Sequence, residues 1–200
     1  MDAITQLIES LISRRAKPIP RALCWQGLEF ALPAMFELSR DLSHRFAREA
    51  MSHAALFSGI ALANSGLGFA HGVAAALGVH AKVPHGLACA VMLPTALQLN
   101  REIAKTDLAQ LGRQCCQWLR GEHGLPSFDG QCTDDVAAMH FQSVIRILNE
   151  RLGIPNRLSA LGVTREQLAA LAKGSRGNSM DGNPRDISDD ELLATLERVW

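Results

Sequence analysis

Apolar residues recur at helical spacing along almost the whole chain. Ile4, Leu7, Ile8 and Leu11 form one stripe and predict a helix over residues 2–15. Pro18 and Pro20 follow its end and open a second helix, carrying Ala22, Leu23, Leu28, Phe30 and Ala31. Pro33 is expected to kink or restart it. Ser43 is placed to cap a long third helix running to about Asn64. The stretch "NSGLG" stops that helix. A short fourth helix is predicted over 69–77, with Gly78 at its C-terminal end. "HAKVPHG" reads as a loop. From about Gly86 another apolar helix takes in Leu87, Val91, Met92 and Leu93, with an interruption at Pro94.

The second half continues in the same period, with heavier polar punctuation. A helix is predicted over 106–119, followed by the loop "GEHGLPSFDGQCTDD". The next helix, 134–152, turns Val136, Met139, His140, Val144, Ile147 and Leu148 to its apolar side. Thr164 with Gln167, and Ser188 with Glu191, have capping-box spacing and start the last two helices. Between those helices "RGNSMDGNPRDI" has the composition of a loop. The chain has no Tyr, and its β-branched residues do not alternate in runs, so no strand is predicted. The expected architecture is one all-α domain over residues 1–200, a bundle of seven to nine helices.

Composition sharpens the picture in two places. The 200 residues carry equal numbers of acidic and basic side chains, 20 of each. No basic surplus is available to neutralise nucleic-acid phosphates or an anionic membrane surface. Neither a glycine-rich dinucleotide fingerprint nor a phosphate-loop lysine is present. Charge is also uneven: residues 50–81 contain no Asp, Glu, Lys or Arg. That run is long enough to raise a membrane span. However, Asn64, Ser65, Gly66, Gly68 and His71 lie inside it, and no aromatic or basic belt marks its ends. A buried helix broken near the glycines is the expectation, with no membrane partner.

Five cysteines, an odd number without a CxxC pair, suit reduced thiols and a cytoplasmic location. Cys24 and Cys89 sit in apolar surroundings and are expected to fill core. Cys115, Cys116, His123, Cys132 and His140 form a set whose spacing fits no structural-zinc pattern. The histidines of "GLGFAHGVAAALGVHAKVPHG" are more informative. His71 falls within the fourth helix, and His85 follows fourteen residues later in a stiff Pro-His-Gly corner. Buried imidazoles need partners. A divalent metal between the two would satisfy both, with a carboxylate as third ligand. Asp2 is the candidate carboxylate. Gln6, four residues on, shares its helix face. Spacing alone leaves open the alternative that these are core histidines bonded to backbone carbonyls, with Asp2 as a helix cap. His80 is expected to be a solvent-facing loop residue.

The same segments carry a resemblance. "MDAITQLIESLISRRAKPI", "NSGLGFAHGVAAALG" and "VPHGLACAVMLP" resemble the metal-site segments of the C-terminal helical half of the iron-containing (group III) alcohol dehydrogenases. "GNPRDISDDEL" is similar to the family's terminal stretch, and residues 115–135 are least typical. The resemblance implies a fold like that of the dehydroquinate synthase-like group and a divalent metal, iron or zinc. It makes Asp2, His71 and His85 metal ligands, with Gln6, standing where the family usually has His, as a weaker fourth ligand. It also places Ala75 where many members have a His near the nicotinamide. The implied activity is NAD(P)-dependent interconversion of a small alcohol with an aldehyde or ketone. Family members bind NAD(P) through an N-terminal α/β domain, and this chain begins where that domain would already have ended. A truncated product, a mis-called start and an excised piece all fit. The alternative is a non-catalytic helical module or remnant, acting in homo-oligomerisation or with a separate nucleotide-binding partner.

Overall fold

The computed structural model describes residues 1–122, 124–126 and 131–200. Helix α1 (Asp2–Ile12) buries Ile4, Leu7, Ile8 and Leu11, the stripe expected of it. It ends before Ser13 because the chain there turns to other partners. Ser13 Oγ sits 2.9 and 2.8 Å from the carbonyl oxygens of Ser65 and Gly182, and Arg14 N–H donates to Gly182 at 3.1 Å. Helix α2 (Pro18–Leu38) runs unbroken through Pro33. Its long packing against α3 (Arg45–Ser65) overrides the local cost of that proline. His44, not Ser43, caps α3: its Nδ1 accepts from Ala47 N–H at 3.2 Å. The Ser43 hydroxyl is instead engaged by Asp41 at 2.6 Å.

Gly66, at φ +78°, breaks the uncharged run, and α4 (Phe69–Ala81) leaves at 101° to α3. Among the described residues no single helix is long and apolar enough to cross a membrane. Helix α4 continues past Gly78 and ends at Lys82, which takes the left-handed conformation (φ 57°). His80 therefore lies in the last helical turn rather than in a loop, though it is exposed as expected. Helix α5 (His85–Asn100) starts directly after Pro84 and passes through Pro94 without interruption, wedged between α4 and α7.

Helices α6 (Lys105–Trp118) and α7 (Asp134–Arg151) form a closely packed pair, the second capped by Thr133. Then follow α8 (Leu168–Gly174), α9 (Asn178–Asp181) and α10 (Asp189–Arg198). The Thr164–Gln167 capping box is formed, and Ser188 accepts from Glu191 N–H. The described residues thus hold ten α-helices and no strand, beyond the seven to nine expected. A one-turn helix, α9, lies in the stretch read from composition as loop. Its local signal is too short to show periodicity.

The buried side chains fall into two clusters. One joins α1, α2, α3, α6 and α7 around Leu7, Leu28, Phe36 and Phe141. The other joins α4, α5, α8 and α10 around Phe69, Leu77, Met92 and Leu196. Helix α1 also touches α4 and α5, and so it bridges the two clusters. The polar residues of interest sit on that seam.

Candidate metal centre

Three helix N-termini meet at the seam. Asp2 lies in the first turn of α1, His71 in the first turn of α4, and His85 opens α5. Asp2 Oδ1 is 3.2 Å from His71 Nε2 and 3.7 Å from His85 Nε2, and the two rings are 5.6 Å apart between centroids. Residues separated by 69 and 83 positions thus share one carboxylate oxygen. His71 is buried, whereas His85 is 53% exposed and opens the cluster to solvent on one side.

The Asp2 and Glu9 carboxylates beside His71 favour the protonated form of its ring. The hydrogen bond from His71 holds the Asp2 carboxyl below the usual aspartate value, against a smaller opposing effect of burial. Burial of His71 disfavours its charged form, but Asp2, Cys89 and Glu9 together outweigh it and raise the pKa to about 12. A metal ion at Nε2 would have to displace a proton that these partners hold.

Glu9, which the sequence pattern did not single out, holds the second side of His71. Its carboxylate accepts from Nδ1 at 2.7 Å, from the backbone N–H of His71 at 3.2 Å, from Gly68 N–H at 3.0 Å and from Ala70 N–H at 2.6 Å. It is a buried anion set on the N-terminus of α4, where free N–H groups and the helix dipole favour negative charge. With Nδ1–H facing Glu9, Nε2 is the nitrogen that would ligate a metal once its own proton is lost, the arrangement common behind metal-binding imidazoles. The spacing of Asp2, Gln6 and Glu9 puts all three on one face of α1. That stripe, with a lone acid among Leu7, Ile8 and Leu11, is the signal that could have revealed Glu9.

Gly68 leaves room for this approach. A Cβ there would stand 3.0 Å from Glu9 Oε1 and 3.1 Å from Asn183 Oδ1. Asn183, from the "GNPRD" segment, adds a second cap. Its Oδ1 accepts from Phe69 N–H at 3.2 Å and from Asn100 Nδ2 at 2.8 Å, while its Nδ2 donates to Asn100 Oδ1 at 2.9 Å. The terminal segment thereby fixes the start of α4 against the end of α5.

Gln6 shares the face of Asp2 but turns its amide the other way. Its Nε2 donates to Asp2 Oδ2 at 3.2 Å, and its Oε1 lies 2.8 Å from Ser58 Oγ, whose one proton is shared with the Ala55 carbonyl oxygen at 2.8 Å. The carboxylate can only accept, so the nitrogen of the amide must face it. Ala75 is exposed on α4, one turn beyond His71, and presents no polar atom. Cys89 is fully buried, as expected of a core residue, yet its Sγ lies 3.6 Å from His85 Nε2. Asp2, His71, His85 and Cys89 offer ligand atoms that all lie within 4.8 Å of one another. Among the described residues no comparable group includes Cys115, Cys116, Cys132 or His140, and His123 lies outside the described residues. All five cysteines are free thiols.

Fold and cluster together define an all-helical body with a carboxylate–imidazole centre suited to a divalent cation. The chain belongs to the Fe-containing alcohol dehydrogenase family, whose C-terminal domain model matches residues 1–200. It is 30% identical over 202 residues to 1,3-propanediol dehydrogenase of Klebsiella pneumoniae, covering all of this chain and 49% of that protein. It is 27% identical over 201 residues to lactaldehyde reductase of Escherichia coli K12, covering 50% of it. The fold superposes on a crystal structure of 1,3-propanediol oxidoreductase with a TM-score of 0.88 at 28% identity, over all of this chain and 50% of that one. An alcohol dehydrogenase from Oenococcus oeni gives 0.86 at 27% identity, again over 50% of its length. The chain thus spans about half the length of the relatives it matches, as their C-terminal half.

Proposed function

We propose that this chain is the metal-binding half of a dehydrogenase that interconverts a small alcohol with an aldehyde or ketone, using NAD(P) bound by a separate α/β domain. The observation that carries this reading is the shared Asp2 oxygen, 3.2 and 3.7 Å from the Nε2 atoms of two imidazoles brought from different helices. Asp2, His71 and His85 would hold a divalent cation, iron or zinc, and the donor types fit either. When bound, such an ion supplies Lewis-acid polarisation of a substrate oxygen.

The side chains do the rest by position. Glu9 fixes the His71 ring and keeps its proton on Nδ1. Pro84 and the α5 N-terminus hold His85 at the open side, so a small substrate would enter past that ring. The relatives act on 1,3-propanediol and lactaldehyde by name, which supports a short-chain substrate.

Joining the chain in frame to the N-terminal half of a matched relative tests the proposal. Metal-dependent NAD(P)H turnover with a short alcohol or aldehyde, lost in His71→Ala, is expected. A folded, metal-loaded fusion that binds NAD(P)H but turns over no alcohol or carbonyl would contradict it.

A further inference from the structure

Cys89 follows His85 by one helical turn on α5, so both side chains emerge on the same face toward α1 and α4. The sulfur does not simply fill apolar space. It faces His85 Nε2 at 3.6 Å and belongs to a group of four donor atoms, with Asp2, His71 and His85, none more than 4.8 Å from another. Gln6 adds no oxygen to that set: its Oε1 lies 2.8 Å from Ser58 Oγ, and its amide nitrogen faces Asp2.

Three of the six donor separations come close to those of a tetrahedral centre, and all six lie within 4.8 Å. Metal–ligand bonds of about 2.0–2.3 Å to nitrogen, oxygen and sulfur imply tetrahedron edges of about 3.3–3.8 Å. Three separations here are 3.2, 3.7 and 3.6 Å. Sulfur would complete the buried side of the site, and the exposed His85 side would remain the path for a further oxygen donor.

We propose that Cys89 is the fourth metal ligand of this chain, making the centre a carboxylate–imidazole–imidazole–thiolate site selective for zinc and similarly thiophilic ions. This rests on the metal-binding role given above to Asp2, His71 and His85. Uptake of the cation displaces the thiol proton to solvent, with no change of oxidation state at sulfur. A thiolate favours zinc more strongly than an amide oxygen could.

Cobalt(II) titration of the 200-residue chain tests this, because a thiolate ligand gives a sulfur-to-cobalt charge-transfer band in the near ultraviolet. The band should appear with the visible cobalt absorption and saturate together with it. It should vanish in Cys89→Ala and also in His71→Ala, which separates Cys89 from the other four cysteines. Zinc affinity in Cys89→Ala should fall by more than the about 10–100-fold typical of losing an outer partner, with helical circular dichroism retained. Bound cobalt without the band in the parent chain would overturn the thiolate and leave the metal reading standing. No cobalt or zinc uptake at all would overturn both. A band that survives Cys89→Ala would assign the sulfur elsewhere and overturn the proposal.

Discussion

Glu9 and His71 are joined twice: one carboxylate receives both the Nδ1–H of the ring and the backbone N–H of the same residue, at 2.7 and 3.2 Å. One buried carboxylate thus orients the ring and, beside the Asn183 cap, secures the start of α4. Replacing that anion disturbs both together.

Glu9→Gln is therefore expected to act on stability and on metal binding. The amide would point an N–H at donors that now meet an oxygen. Breaking a buried charge interaction of this kind costs about 3–5 kcal/mol, read by urea denaturation of the metal-free chain. Metal affinity should fall about 10–100-fold, read by competition with a chelator. A variant with parental stability and affinity would show that Glu9 orients nothing.

Gly112 lets α6 approach the backbone of α7 closely. A Cβ there would overlap the carbonyl oxygen of Ala137, and backbone has nowhere to yield. Gly112→Ala should destabilise the chain by about 3 kcal/mol, although alanine is the better helix former. A stability equal to or above the parent in chemical denaturation would mean the two helices do not pack at this distance.

Glu122 ties the end of α2 to the end of α7 through Arg40 and Arg151, the latter at 2.9 Å. Burial alone would raise its pKa, but the two guanidinium partners outweigh burial and hold it below the usual glutamate value. A depressed folded-state pKa gives stability that is present above the unfolded value, about 4.3, and lost as pH falls through the lower folded value. Glu122→Gln should be less stable than the parent at pH 7, and the difference should shrink toward zero below about pH 4. A difference independent of pH would place the effect elsewhere than in the charge.

Much of the fold was legible from spacing, because most helices here are amphipathic or wholly buried and long enough to show a period. Pro33 and Pro94 misled the local pattern, since packing of α2 on α3 and of α5 between α4 and α7 sets those helices. The donors Asp2, His71 and His85 stood out by residue type within recognisable segments. Glu9 and Cys89 did not, for a physical reason. Each lies in an apolar stretch, and its importance depends on which atoms other helices bring to it. The orientation of the Gln6 amide likewise depends on Ser58, 52 residues away.

Asp2, His71 and His85 are proposed to share one cation. Elemental analysis of the purified 200-residue chain, beside His71→Ala and His85→Ala, tests it most directly. Near-stoichiometric divalent metal in the parent, lost from both variants while their helical circular dichroism persists, is the predicted result. Metal content unchanged in both variants would contradict the account.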